Sequence, residues 1–188
     1  MITLLEVKKK ILRIIEEINK SNEATDANIA TDDDIAEKLN DVINGVLFEI
    51  SRIKKIPVKE EFEVTENQEI NLREELDSFY QLNCIKDVRH EQIDDIVMFL
   101  EDGTAKIFYY KYPKRISKTT DAEKYKFEIT DDAVECLVVG AIADLLKNDV
   151  SNNYGQIYAN RYAELKQGLD PRYARGSIVV DDDGIDDM

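Results

Sequence analysis

The chain contains one histidine, two cysteines and no tryptophan among its 188 residues, and only seven glycines and three prolines. With a single histidine, His90, and no CxxC pair, no zinc-ligand set can be written. A lone histidine is more often a surface or packing residue than a catalyst. Cys84 and Cys136 have no motif spacing and are too few for a disulfide scaffold in a chain of this size, so reduced thiols are expected. Seven scattered glycines provide no phosphate-cradling loop, and Ser51, Ser78 and Ser151 lack the glycine-framed elbow of a hydrolase nucleophile. No apolar run approaches bilayer-spanning length. The opening "MITLLEVKKKILRIIEEINK" carries charges throughout and is followed by no small-residue cleavage site, unlike a signal peptide. The expectation is a soluble protein made in the cytoplasm, not an enzyme, with neither cofactor nor metal.

Positive charge is scarce too: 25 basic residues face 40 acidic ones, a formal net charge of −15. A nucleic-acid binder should show a basic footprint, so this balance argues against specific nucleic-acid binding. It suits a solvated acidic surface, a wall that DNA slides past, or an acidic mimic of DNA. The tail "DDDGIDD" lacks the closing glutamate of an EF-hand loop and is read as solvated. The run Glu60, Glu61, Glu63, Glu66 and Glu69 is read as the wet side of a strand unit, and Asp94 and Asp95 as residues on opposite faces of a strand.

What is present is periodicity. Leu4, Val7, Ile11, Ile14 and Ile18 recur at three- and four-residue intervals, predicting an amphipathic helix. After the polar stretch "NKSNEATDANIATDDD", Thr31 with Asp34 predicts an N-cap. Ile35, Leu39, Val42, Ile43, Val46, Leu47 and Ile50 then continue a second helix towards Pro57. The period switches to two in "EFEVT", "INL" and "FYQLNCIKDV". In "IVMFLEDGTAKIFYYKY" two β-rich runs flank Asp102–Gly103, predicting a tight hairpin with glycine at positive φ. Helices return with Asp132 and Glu135 as a capping pair. Val134, Leu137, Val138, Ala141, Ile142, Leu145 and Leu146 form a face too broad for a surface helix. The predicted fold is α+β: a four-helix core, two helices N-terminal and two C-terminal, with one small central antiparallel β unit. The expected divisions are residues 1–56 (helical pair), 57–116 (β unit), 117–169 (second helical pair, packed on the first) and 170–188 (extended acidic arm).

In "NNYGQIYANRYAELK", Tyr154, Tyr158 and Tyr162 fall four apart, on one helical face. A base-stacking platform would interleave them with lysine and arginine, and Arg161 and Lys166 set against Glu164 are too few. The stripe therefore covers the preceding helix on one edge. Its other edge, with Arg161, Arg172 and Tyr173, has the tyrosine and arginine enrichment of interfaces. Ile178, Val179 and Val180 form a β-prone segment in a terminus too acidic to pack, which reads as a binding arm that pairs with a neighbour's sheet edge.

The phrases "DDDIAEKLNDVINGVLFEI", "KKIPV", "EDGTAKIFYYKYP" and "YGQIYANRYAEL", in this order, resemble the head–tail connector (tail adaptor) proteins of phages, from about Leu4 to Tyr173. The resemblance implies a virion structural protein at the head–tail interface. It would form a homo-oligomeric ring beneath the portal protein, contact tail proteins and continue the DNA channel. It implies no catalytic residues, and it places the portal-docking surface on the tyrosine helix and on the arm from Asp170. Net negative charge would keep such a bore from gripping DNA. The alternative is an acidic regulatory or DNA-mimic protein that binds a basic host enzyme. A mimic wants carboxylates along one ridge, whereas here they are spread over loops, helix starts and tail.

Overall fold

A computed structural model describes residues 2–21, 33–147 and 153–169. The elements are α1 (Leu4–Ser21), α2 (Asp33–Ser51), β1 (Ile56–Val64), β2 (Glu69–Asn71), α3 (Leu72–Glu75), β3 (Phe79–Lys86), β4 (His90–Ile93), β5 (Ile96–Phe99), β6 (Gly103–Lys111), α4 (Asp131–Leu146) and α5 (Tyr154–Gly168).

Helix α4 is the centre of the helical half. Ala133, Val134, the stretch from Cys136 to Ala143, and Leu146 are all buried, and α1, α2 and α5 pack on it. A helix apolar all round has no face to give to water, so it is surrounded. Its capping differs from expectation: Thr130 precedes the first turn, and Asp132 sits within that turn, 3.3 Å from Lys54. On α1, Leu4, Val7, Ile11 and Ile15 are buried while Ile14 is only half-buried. Spacings of three, four and four track the 3.6-residue turn more closely than the predicted set. On α2, Leu39, Ile43, Val46, Leu47 and Ile50 face the core. Each such side chain contributes about 1.5–3 kcal/mol. The predicted Thr31 cap and the side chains of Ile18, Asp34 and Ile35 lie outside the described residues.

The predicted single β unit and four-helix core are corrected here. The described residues form five helices, one of them the short α3, and two three-stranded antiparallel sheets, ordered β1-β6-β3 and β2-β5-β4. The sequence misleads at Asp102–Gly103. Strand β5 pairs with β2 and β4, whereas β6 pairs with β1 and β3, so this link carries the chain from one sheet to the other. No described glycine has positive φ. Gly103 serves a close approach instead, since a Cβ there would sit 3.2 Å from Val88 Cγ2. Asp102 Oδ1 accepts from the Glu66 N–H at 2.7 Å, fixing the turn after β1. The tight hairpin joins β4 to β5 through Asp94–Asp95, with Asp94 at φ 54°. Aspartate tolerates this left-handed backbone better than most residues.

Side chains from both sheets, among them Val64, Phe79, Phe99, Ile107 and Tyr109, fill one core. Strand β1 begins earlier than "EFEVT", because Ile56, Val58 and Glu60 also point inward. Glu60 escapes an alternation search since it is charged, yet the Tyr109 hydroxyl donates to it at 2.6 Å. Pro57 is accommodated because β1 is an edge strand. Short α3 was not foreseen; Asn71 Oδ1 caps it by accepting from Arg73 N at 3.1 Å. The two halves meet through rings: Phe48 of α2 stacks on Tyr112, and Tyr112 lies against Tyr80 of β3, with centroids 5.7 and 4.8 Å apart. Cys84 and Cys136 are both free. Burial pushes the Cys136 thiol up to about 11, so it stays protonated at neutral pH.

Candidate docking groove between the helices

Tyr154, Tyr158 and Tyr162 share one face of α5, as the spacing predicts, and pack half-buried on the helical core. Two glycines bring α5 close. A Cβ at Gly140 would lie 2.6 Å from Tyr162 Cε2 and 2.8 Å from Val46 Cγ1, and one at Gly155 would lie 2.7 Å from the Leu146 carbonyl oxygen. The Tyr162 hydroxyl then reaches across to α2 and donates to Glu49 Oε2 at 2.6 Å. Lys166 donates to Glu49 Oε1 at 2.7 Å, and its ammonium lies 5.3 Å from the Tyr162 ring centre.

Burial opposes ionisation of Glu49, but the bonds from Lys166 and Tyr162 outweigh it and hold its carboxyl below the ordinary value of 4.5. Burial first, and then Glu49, push the Tyr162 phenol far above its ordinary range. The folded carboxyl pKa is depressed, so its stabilisation is complete above 4.5 and is lost as pH falls through the lower folded value. The urea midpoint of the wild type should therefore fall more steeply than that of Glu49→Gln between about pH 5 and 3. Parallel pH profiles would show that Glu49 does not hold α5.

The outer edge of α5 stays open. Ile157 is 55% exposed, and Arg161 is 3.8 Å from Glu135 with both side chains exposed. Such a pair contributes at most about 1 kcal/mol. On the other flank of α5, at Ala159 and Tyr162, runs a groove of about 510 Å³ between α2, α4 and α5. Val42, Gly45, Ala143 and Ala159 make its walls apolar and low, while Asp41 and Lys147 stand at its rim. A second depression of about 410 Å³ lies across Asp41 and Gly45, towards Phe48 and Arg115.

Of the predicted partner residues, the structure brings together Tyr154, Tyr158, Arg161 and Tyr162. Arg172, Tyr173, Ile178, Val179 and Val180 lie outside the described residues. The groove itself and Glu49 were not anticipated; the local signal was small residues, Gly45 on α2 and Gly140 and Ala143 on α4, all lining the groove. Half-buried His90 opens β4, with Nδ1 3.1 Å from the Val88 carbonyl oxygen. Asp94 and Asp95 form a turn, not a strand, and Asp95 pairs with Arg73. Among the described residues, no three His, Cys, Asp or Glu side chains are grouped to hold a metal ion, and no helix is long and apolar enough to cross a membrane. No protein-family model matches the chain, and no curated protein matches it.

Proposed function

We propose that this protein is a non-enzymatic head–tail connector of a phage virion. It forms a ring between the portal protein and the tail proteins and continues the DNA channel. The observation that carries the reading is α5. Its tyrosine face packs on the helical core, while Ile157 and Arg161 stay exposed on one flank and an apolar, polar-rimmed groove lies open beside Ala159 and Tyr162. Buried anchors inside a polar rim are the anatomy of a protein interface. The sequence resemblance supports the same placement of the portal-docking surface.

Co-sedimentation with the assembled portal ring of the same genome tests this. Full-length protein is expected to bind saturably, and protein truncated before Gly176 to bind little or not at all. Ile157→Asp should weaken binding by roughly tenfold without lowering the melting temperature, since the side chain is exposed. If neither full-length nor truncated protein binds, the connector reading fails, and an acidic regulator of a basic host protein takes its place.

A further inference from the structure

The net charge of −15 conceals a segregation. The first turns of α1 and the irregular segment between β6 and α4 lie together. Leu4 N donates to the Tyr125 carbonyl at 3.0 Å, and Leu5 N to that of Ala122 at 2.9 Å. Thr3 bridges Lys126, and the Tyr125 hydroxyl donates to the Lys114 carbonyl at 2.6 Å. Residues 3–17 and 111–128 hold ten lysines and arginines against six carboxylates, leaving 34 carboxylates against 15 cations elsewhere in the chain. Lys9, Lys10, Lys114, Arg115, Lys118 and Lys126 are exposed. Four of the six carboxylates are already engaged: Asp121 by Lys124, Glu128 by Lys111, Glu17 by Arg13 and Glu6 by Thr3. A local excess of four positive charges on an otherwise anionic protein favours polyanions.

We infer that this cationic face docks the acidic C-terminal segment, residues 181–187, of a second copy of the chain. That segment is the densest acidic run available, with five aspartates in seven residues. The dozen residues from Asp170 to Asp181 can span up to about 40 Å when extended, against a radius of gyration of about 16 Å for a domain of this length. Ligand and site are different surfaces of one chain, so the contact is head-to-tail and propagates around a ring until it closes. It also offsets the repulsion between subunits that each carry −15. The inference deepens the connector reading by supplying its subunit contact, but it is tested without the portal.

The probe is a fluorescent peptide of residues 177–188, titrated by anisotropy into protein that ends at Val180. Saturable binding is expected, weakening at least about tenfold as salt rises from 0.05 to 0.5 M. Lys114→Glu/Lys126→Glu should weaken it by roughly tenfold or more with unchanged melting. The same peptide with every aspartate changed to asparagine should not bind. Analytical ultracentrifugation completes the test: full-length protein should self-associate with concentration, and the Val180-truncated form should not. Absent binding, or equal binding of the asparagine peptide, overturns the proposal. If the peptide binds while full-length and truncated protein are equally monomeric, the tail closes on its own subunit and the contact between copies is refuted. Competition by a 20-mer duplex DNA at lower concentration than the peptide would reassign the face to nucleic acid. A portal-binding protein that fails the titration loses this contact only, whereas one that passes it but ignores the portal loses the connector reading.

Discussion

Gly140→Leu is expected to destabilise the protein by about 3 kcal/mol and to lift α5 away from α2. The cause is geometric. Even the first side-chain carbon would sit 2.6 and 2.8 Å from Tyr162 Cε2 and Tyr162 Cδ2, and 2.8 Å from Val46 Cγ1, closer than real Cβ atoms approach. The ring cannot swing aside at no cost, because its hydroxyl is tied to Glu49 across the groove. Gly140→Ala has an offsetting gain, since alanine is about 1 kcal/mol better than glycine in a helix interior, so it should cost less than leucine. The decisive measurement is a double-mutant cycle by urea denaturation. If the Tyr162 ring is the obstacle, Gly140→Leu with Tyr162→Ala should be less destabilised than the sum of the single variants by at least about 1 kcal/mol. Strict additivity would place the strain on Val46 alone. On the proposed connector reading, with the docking surface on α5, Gly140→Leu should also lose portal binding in proportion to the α5 displacement.

Where the sequence was legible, one element could satisfy its own pattern. The apolar surround of α4 has no solvent-facing solution, and the tyrosine spacing of α5 has one core face and one open face. Where two elements had to choose partners, local pattern failed. Asp102–Gly103 carries the signature of a hairpin, but β5 and β6 gain more by joining different sheets that enclose Phe99, Ile107 and Tyr109. The actual hairpin, at Asp94–Asp95, lacks glycine and so gave no turn signal. The groove was invisible because its walls, Gly45, Gly140 and Ala159, are distant in sequence. Charge failed in the same way: a total of −15 says nothing of how the charges are arranged, and only the hydrogen bonds between α1 and the segment around Tyr125 place Lys9 and Lys10 on the same unit as Lys114 and Lys126.

Asn44 is expected to be the costliest single polar residue to lose. It is 6% exposed in the middle of α2, where an amphipathic reading would place another aliphatic residue. Instead its amide clasps one residue of the segment following β6: Nδ2 donates to the Ile116 carbonyl at 2.8 Å, and Oδ1 accepts from the Ile116 N–H at 2.8 Å. Ile116 is itself 3% exposed, so no water waits to replace either bond. Asn44→Leu keeps the branched outline and removes both bonds, stranding a buried donor and a buried acceptor. At roughly 1–3 kcal/mol for each stranded group, the loss is about 2–6 kcal/mol out of a typical total of about 5–15. Hydrogen exchange gives the specific readout, because the Ile116 amide should lose its protection even under conditions where the variant remains folded. Asn44→Asp separates the two bonds. As a carboxylate it can still accept from the Ile116 N–H but faces the Ile116 carbonyl with no proton to donate, so its folded pKa must be raised above the unfolded value of about 3.9. A raised folded pKa makes the variant's deficit largest at neutral pH and shrinks it as pH falls through that folded value towards the unfolded one. The gap in urea midpoint between Asn44→Asp and the wild type should therefore narrow between about pH 7 and 4. A constant gap would mean that the Ile116 carbonyl is not held by this side chain, and the segment carrying Lys114 and Arg115 would then need another anchor on α2.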